Sequence, residues 1–387
     1  MKTMNYVNLC KALTKAKIAY KNLAQVPNPF RINVAVTYRC NLRCKMCSIW
    51  KVYQESPDLA RDEMNSDDYT PLFNSVSPDL FWLGITGGEP FLKKDLVDIV
   101  HLAASKSPKL HILELTTNGF SEGTIEKKVN EILEGTDIPF ITVGVSIDGP
   151  PLKHDYIRGR KGAWNRAIAT YKKLCKISSS HPNLSPHISY TISSHNAGCF
   201  LDFLSALAEE GIGMETDLIS VGIEHSGHLY HNEGSGKGSL FYGANADIRF
   251  LLSRIGILRS LTKGIVEVGR HLFKKMFLIS AIDFLKKPNK MVIPCAALFC
   301  SCFIDPFGFV YPCSIYGEKL GNVRKTSFHH IWHSHTANNL REGIKEEKCP
   351  ICWSPCEAEP SFLMSLPKTL LPALIKHVPW NEQGLQV

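Results

Sequence analysis

Six short apolar runs, most of them followed by an amphipathic stretch, set the limits on what this chain can fold into. The runs cover residues 32–37, 81–86, 112–117, 141–147, 188–192 and 215–221. Helical patterns fill 95–105, 121–133, 163–177 and 199–211. Neighbouring parallel strands need a long crossover, usually a helix. Six strand–helix units therefore predict a parallel sheet with helices packed outside it. In such α/β architectures the reactive groups sit on loops at the C-terminal ends of the strands. Those loops are where chemistry should be sought.

The loop after the first run carries Cys40, Cys44 and Cys47, spaced C-x3-C-x2-C. Three thiolates on one loop can hold three irons of a cubane [4Fe-4S] cluster, leaving the fourth iron open to a small molecule. Zinc sites more often pair C-x2-C knuckles and use four protein ligands. A lone triple with this spacing favours iron–sulfur over zinc. The second run ends in Thr86, Gly87, Gly88, Glu89 and Pro90. Two glycines let the backbone approach a ligand closely, and Glu89 offers a carboxylate to an ammonium. Asn118 follows the third run, and Ser146 and Asp148 end the fourth. After the sixth come His225, His228 and His231, which either serve substrate binding or proton transfer or decorate a solvated loop.

The cysteine triple and the Gly-Gly-Glu-Pro element about forty residues later resemble the radical S-adenosylmethionine (SAM) superfamily. The resemblance implies a partial (β/α)6 barrel of the TIM type. It implies a [4Fe-4S] cluster on Cys40, Cys44 and Cys47, with SAM on the open iron. Gly87, Gly88, Glu89 and Pro90 would meet the amino group of SAM, and Asn118 would belong to the same site. Ser146 and Asp148 would lie near its ribose, and Arg158 near its carboxylate. Met46 stands where the family usually has an aromatic residue near adenine; its adaptable thioether can fill that place.

A second cysteine group, Cys295, Cys300, Cys302, Cys313, Cys349, Cys352 and Cys356, lies near the C-terminus. Strand-like residues flank Pro306 and Gly308 between Cys295 and Cys313, which reads as a β-hairpin. The spacing C-x12-G-x4-C, closed by C-x2-C-x3-C, resembles the SPASM/twitch extension of radical SAM enzymes. The resemblance implies one auxiliary [4Fe-4S] cluster on four of Cys295, Cys313, Cys349, Cys352 and Cys356, with Cys300 and Cys302 as alternates. A zinc knuckle is the competing reading. Cys10, Cys175 and Cys199 are isolated and read as ordinary apolar side chains.

At 387 residues, with 44% hydrophobic and 21% charged residues, the chain is of ordinary globular composition. The expected segments are an N-terminal basic amphipathic extension (1–30), a barrel core (31–225) and a linker with a basic amphipathic helix (226–293). A small cysteine-rich β-hairpin and helix domain (294–360) and a tail (361–387) follow. Clustered cysteines in a long chain without a signal peptide point to the cytoplasm. The net charge of +8 is concentrated in 1–30, with five lysines and no acid, and in 254–290, with nine Lys or Arg against Glu267 and Asp283. That is a pair of local surfaces and not a nucleic-acid footprint. Apolar stripes accompany both: Tyr6, Leu9, Leu13, Ala16, Tyr20 and Leu23, and Leu258, Leu261, Ile265, Val268, Leu272, Met276 and Ile279. With the apolar tail, they either pack on the barrel or rest peripherally on an anionic membrane.

The resemblance implies an enzyme that reductively cleaves SAM to a 5′-deoxyadenosyl radical, which abstracts a hydrogen from a peptide or a small metabolite such as a sugar. A reductant such as flavodoxin or ferredoxin would be a partner. The alternative is a non-catalytic iron–sulfur carrier or scaffold, which would need no SAM site.

Overall fold

The computed structural model describes residues 6–213, 218–232, 240–255 and 265–375. Nine strands form one sheet: β1 (Arg31–Ala35), β2 (Trp82–Thr86), β3 (Ile112–Thr117), β4 (Phe140–Ser146), β5 (Leu184–Ile192), β6 (Ile219–Ile223), β7 (Ser301–Ile304), β8 (Phe309–Tyr311) and β9 (Gly321–Asn322). Their order is β6-β5-β4-β3-β2-β1-β7-β8-β9. Strands β1 to β6 lie side by side in chain order, all parallel, as the partial barrel requires. Of the run expected at 215–221, residues 215–217 fall outside the described part; the strand there is Ile219–Ile223.

The expected hairpin is β7 and β8, paired antiparallel through Phe303 with Tyr311 and Ile304 with Val310. It does not stand apart. β7 runs parallel to β1, with Arg31 opposite Ser301 and Val34 opposite Ile304, so the C-terminal region extends the barrel sheet at its first strand.

The strands bury one face under helices and turn the other inward. β5 alternates strictly: Leu184, Pro186, Ile188, Tyr190 and Ile192 are buried, while Ser185, His187, Ser189 and Thr191 are partly exposed. β3 alternates likewise, with Leu113 and Leu115 buried and Glu114 and Thr116 on the other face. The covering helices carry matched stripes. In Ala163–Ser178, Trp164, Ala167, Ile168, Tyr171 and Leu174 recur at three and four and are all buried. The inward faces of β3 to β6 hold Glu114, Thr116, Ser146, His187, Ser189, Thr191, Ser220 and Gly222, so the lumen is polar and open.

The basic stripes pack on this body. Leu13 and Ala16 join Phe81, Phe299 and Met364 in one cluster. Met276, Ile279 and Phe362 enter the main core, and Leu272 packs against it. Leu23 alone of the N-terminal stripe is strongly exposed. Leu258 and Leu261 lie outside the described residues, as do the side chains of Tyr6, Ile265, Val268 and 366–387. Apart from Leu23, the described stripe positions thus leave little for a lipid surface, because they pack against the barrel or its C-terminal helix. Among the described residues no helix is long and apolar enough to cross a membrane.

Candidate functional site

The cysteine loop leaves β1 and is held on three sides. Along one side runs the end of β2. Gly88 N donates to Thr37 O (2.7 Å) and Glu89 N to Arg39 O (2.7 Å). Gly87 sits at φ 139°, and a side chain at either glycine would collide with the 37–39 backbone. The two glycines therefore serve a close approach between two loops. On a second side is the helix Pro151–Arg158: Arg43 N donates to Arg158 O (3.1 Å) and Lys45 N to Ile157 O (2.7 Å). Gly159 ends that helix in the left-handed region (φ 65°), where a Cβ would strike Arg43 O. On the third side is the segment after β6, where Ser48 N donates to Tyr230 O (2.8 Å) and Asn232 Nδ2 to Met46 O (2.9 Å). Glu63 fixes the root of the loop, accepting from Thr37 Oγ1 (2.5 Å), Tyr38 N (3.0 Å) and Tyr53 OH (2.5 Å).

So held, Cys40, Cys44 and Cys47 line one wall of a cavity whose empty volume, open mouth included, is ≈ 1440 Å³. Burial pushes the Cys40 thiol up to about 11 and Cys47 up to about 12, and it raises Cys44 as well. Buried thiols stay protonated unless a cation compensates them. Metal is such a cation. Two N–H donors already face the sulfurs: Asn118 Nδ2 lies 3.8 Å from Cys40 Sγ, and Arg158 Nη1 lies 3.8 Å from Cys44 Sγ. This donor set fits an iron–sulfur cluster with N–H···S support.

Of the residues expected around SAM, Gly87, Gly88, Asn118, Ser146 and Arg158 line the same cavity, as does Met46. Glu89, Pro90 and Asp148 do not. Glu89 is fully buried, and its carboxylate accepts from Phe91 N (3.2 Å), Thr117 Oγ1 (2.9 Å) and Asn118 N (2.7 Å). Burial still lifts it to about 7. Its carboxylate ties β2 to β3 and sets Asn118 toward Cys40. Pro90 is buried beside it at the start of a short helical turn. Asp148 is also fully buried; it accepts from Thr191 N (2.8 Å) and pairs with Arg158 Nη2 at 2.5 Å. Its role is to hold the Arg158 guanidinium at the cavity wall.

Sequence reasoning missed the floor of this cavity. Arg31 lies between two carboxylates, Nη1 to Glu359 Oε2 (2.8 Å) and Nη2 to Glu114 Oε2 (3.0 Å), with its guanidinium 3.7 Å from the Trp82 ring centre. Alternation on β1 and β3 was the available signal: Arg31, Asn33 and Glu114 are polar residues at inward positions. The histidine loop is largely packed, with only His231 of the three histidines exposed. Leu229 is buried, His225 lines the cavity, and its Nε2 accepts from Trp353 N (3.2 Å).

The second cysteine group splits. Cys295, Cys313, Cys349 and Cys352 line one mainly apolar pocket with an empty volume of ≈ 560 Å³, together with Glu357. Burial pushes Cys295 and Cys313 well up and raises Cys349. Glu357 Oε2 accepts from Ser301 Oγ (2.9 Å), while its buried Oε1 has no hydrogen-bond partner. Four thiols around a pocket suit a fully ligated cluster. Among the described residues, no three His, Cys, Asp or Glu side chains converge as a single ion requires. Cys356, expected with this group, lines the central cavity instead, beside Glu359 and Tyr230. One residue past the start of the helix Pro355–Ile375, it is turned toward the barrel. Cys300 and Cys302 are core residues, buried on and before β7.

Comparison with known proteins gives this geometry its context. Residues 34–207 match the model of the radical SAM superfamily, and 295–357 match that of the SPASM iron–sulfur cluster-binding domain. The antilisterial bacteriocin subtilosin biosynthesis protein AlbA of Bacillus subtilis is 24% identical over 84% of this chain and 66% of its own length. The pre-heme d1 synthase of Dinoroseobacter shibae is 27% identical over 77% of this chain and 71% of its own. The sporulation killing factor maturation protein SkfB of B. subtilis is 28% identical over 47% of this chain and 40% of its own. The chain thus spans only part of the length of these relatives. Among solved structures, Streptococcus suis SuiB bound to S-adenosylmethionine superposes with a TM-score of 0.53 at 16% identity, covering 88% of this chain and 72% of SuiB. The anSMEcpe structure with AdoMet and the Kp18Cys peptide gives 0.55 at 14%, covering 89% and 99%. The barrel with its cysteine loop and the C-terminal cysteine pocket are each matched by a family model, which places this chain in the radical SAM superfamily with a C-terminal SPASM iron–sulfur cluster-binding domain.

Proposed function

We propose that the chain cleaves SAM reductively and uses the resulting radical to abstract a hydrogen atom from a polar substrate, a peptide or a small molecule, bound in the barrel lumen. One observation carries this reading: the three loop cysteines and the polar inward faces of β3 to β6 line one continuous cavity. When bound, the cluster and SAM supply a 5′-deoxyadenosyl radical by one-electron cleavage of the S–C5′ bond. The chain's residues hold and orient. Cys40, Cys44 and Cys47 would hold the cluster. Gly87 and Gly88 offer close backbone approach on one side. Asn118, set by Glu89, and Arg158, set by Asp148, place N–H donors at the sulfurs and at the cavity wall. Ser146 and Met46 line the space left for SAM, and Tyr230 and the segment 224–232 cover the cysteine loop.

Cys295, Cys313, Cys349 and Cys352 would hold one auxiliary [4Fe-4S] cluster, which when bound would supply an electron acceptor for the substrate radical or an anchor for substrate. The division into a core over 31–225 and an auxiliary region over 294–360 belongs to the same reading. The names of AlbA and SkfB favour a peptide substrate, while the pre-heme d1 synthase favours a small molecule. The lumen's Ser, Thr, His and Glu side chains suit either when polar.

The test is anaerobic reconstitution with SAM and dithionite. The wild-type protein is expected to form 5′-deoxyadenosine even without substrate. Replacing Cys40, Cys44 and Cys47 together by Ala is expected to abolish it; turnover that survives the triple change overturns the assignment.

A further inference from the structure

We propose that the outer face of the cysteine loop is the docking surface for a small acidic electron carrier of the flavodoxin or ferredoxin type. The proposal rests on the function proposed above and adds where its electron enters.

Two stretches far apart in sequence build this face. The first brings exposed Arg39, Arg43, Lys45 and Lys51; the second brings exposed Arg160 and Lys161 just beyond Gly159. Arg160 Nη1 donates to Asn41 O (2.9 Å), which, with the backbone bonds from Arg43 and Lys45 to the helix, locks the two together. Aromatic rings steady the cations. Arg43 and Lys51 lie 5.8 and 5.5 Å from the Trp50 ring centre, Lys45 5.4 Å from Tyr156, and Arg160 4.0 Å from Phe120. The carboxylate of Asp155, in the same region, is turned inward and accepts from Gly162 N (2.6 Å) and Trp164 N (2.8 Å). Glu55 and Asp58 are exposed nearby in sequence, and Asp58 pairs with Arg61 at 3.6 Å. The face remains net positive.

It also has an apolar point of contact. Leu152 and Tyr156, one turn apart on the helix Pro151–Arg158, are 88% and 56% exposed. Apolar side chains ringed by charge are the usual composition of a transient, charge-steered interface.

The occupant follows from what the face reaches. A surface groove of ≈ 780 Å³ empty volume, lined by Cys40, Asn41, Leu42, Arg43, Trp50, Gln54, Gly159 and Arg160, opens on the outside of the loop. Cys40 lines both this groove and the lumen. A partner seated here comes up to a cysteine of the loop without entering the space that SAM and substrate need. An electron can cross that wall; a substrate cannot react through it. One electron leaves the reduced flavin or iron–sulfur centre of the carrier, which is oxidised, and reduces the iron–sulfur group held by the loop. No atom moves. The positive ring selects an acidic carrier.

The experiment compares two ways of driving 5′-deoxyadenosine formation by the reconstituted holoenzyme. One uses a reduced flavodoxin or ferredoxin, the other dithionite, which needs no docking surface. The Lys51→Glu/Lys161→Glu double variant, at two exposed positions outside the cysteine loop, is expected to slow the carrier-driven rate roughly tenfold at low salt. Iron content and the dithionite-driven rate should stay unchanged. Leu152→Asp, outside the loop, should slow the carrier alone as well. The wild-type carrier-driven rate should fall as salt shortens the screening length. Equal losses with both reductants, no loss with either carrier, or loss only of binding to an acidic peptide overturns the proposal. Wild-type protein that turns over with dithionite but with neither carrier also overturns it, while failure with dithionite itself defeats the function proposed above.

Discussion

Cys40, Cys44 and Cys47 ride on one loop at the mouth of a large polar lumen, whereas Cys295, Cys313, Cys349 and Cys352 come from separate places and close around a small apolar pocket. The first group offers three thiols and leaves room beside them. The second offers four and leaves little. Both sites include a buried carboxyl lifted by burial to about 7, Glu89 in the first and Glu357 in the second. Glu89 has an N–H or O–H donor at each oxygen; Glu357 keeps one oxygen without a hydrogen bond. On the function proposed above, the contrast separates a place for binding and reaction from a place where a group is held and its charge tuned.

Iron content tests the contrast most severely. The Cys40, Cys44 and Cys47 triple Ala variant is expected to lose all SAM cleavage and about half its iron, since each cubane holds about four irons. Cys349→Ala is expected to lose the other half. If either variant loses all its iron, the two groups do not bind independently.

Cys356 sharpens the boundary. Its thiol is pushed up to about 12 by burial, next to Arg31 and the floor carboxylates. Cys356→Ala should keep the full iron content of the wild type while Cys352→Ala does not. The opposite result returns Cys356 to the auxiliary site. Sequence spacing alone could not make this distinction. C-x2-C-x3-C counts residues, but the turn of the helix Pro355–Ile375 decides which cavity a side chain enters.

Much of the rest was legible, for identifiable reasons. The strands and the hairpin announced themselves through local apolar alternation, which is a property of neighbouring residues. The four pocket cysteines came from the resemblance to the SPASM/twitch pattern, which held Cys356 nearly equal with them. The pairing of β7 with β1 is different: it joins segments about 270 residues apart and leaves no trace in either. The basic ring was hidden similarly, split between 39–51 and 160–161. Glu89 was legible only in part. Its place in the motif is visible in sequence, while the three donors that occupy it come from Phe91, Thr117 and Asn118.

The bracing role of Glu89 can be tested on the apoprotein. If Glu89 is a brace, Glu89→Gln sets an amide N–H against a backbone or hydroxyl donor, which costs about 1–3 kcal/mol and shows in denaturant unfolding without SAM or iron. A residue that only meets SAM would leave apo stability unchanged. The pH dependence gives a second reading. Because folding raises this carboxyl from 4.5 to about 7, the native state binds more protons than the unfolded one between those values. Its contribution is therefore full below 4.5 and lost as pH rises to about 7. The Gln variant should lack that component of the pH profile.

The smallest expected effect belongs to Glu357, and it is read best where the first site is silent. The triple Ala variant leaves only the auxiliary cluster to report in a redox titration followed by electron paramagnetic resonance. At pH 8, above the value of about 7 to which burial raises it, Glu357 is mostly ionised. A fixed negative charge in the pocket opposes an incoming electron. Glu357→Gln keeps the shape and the Ser301 contact while removing the charge, so the potential should rise. At an effective dielectric constant of about 20 the interaction is on the order of 1 kcal/mol, or roughly 40 mV for a one-electron couple. A shift of that sign places Glu357 among the groups that set the potential. No shift, or a fall, means that its charge is compensated in the folded protein, and the closed pocket then tunes its cluster by burial alone.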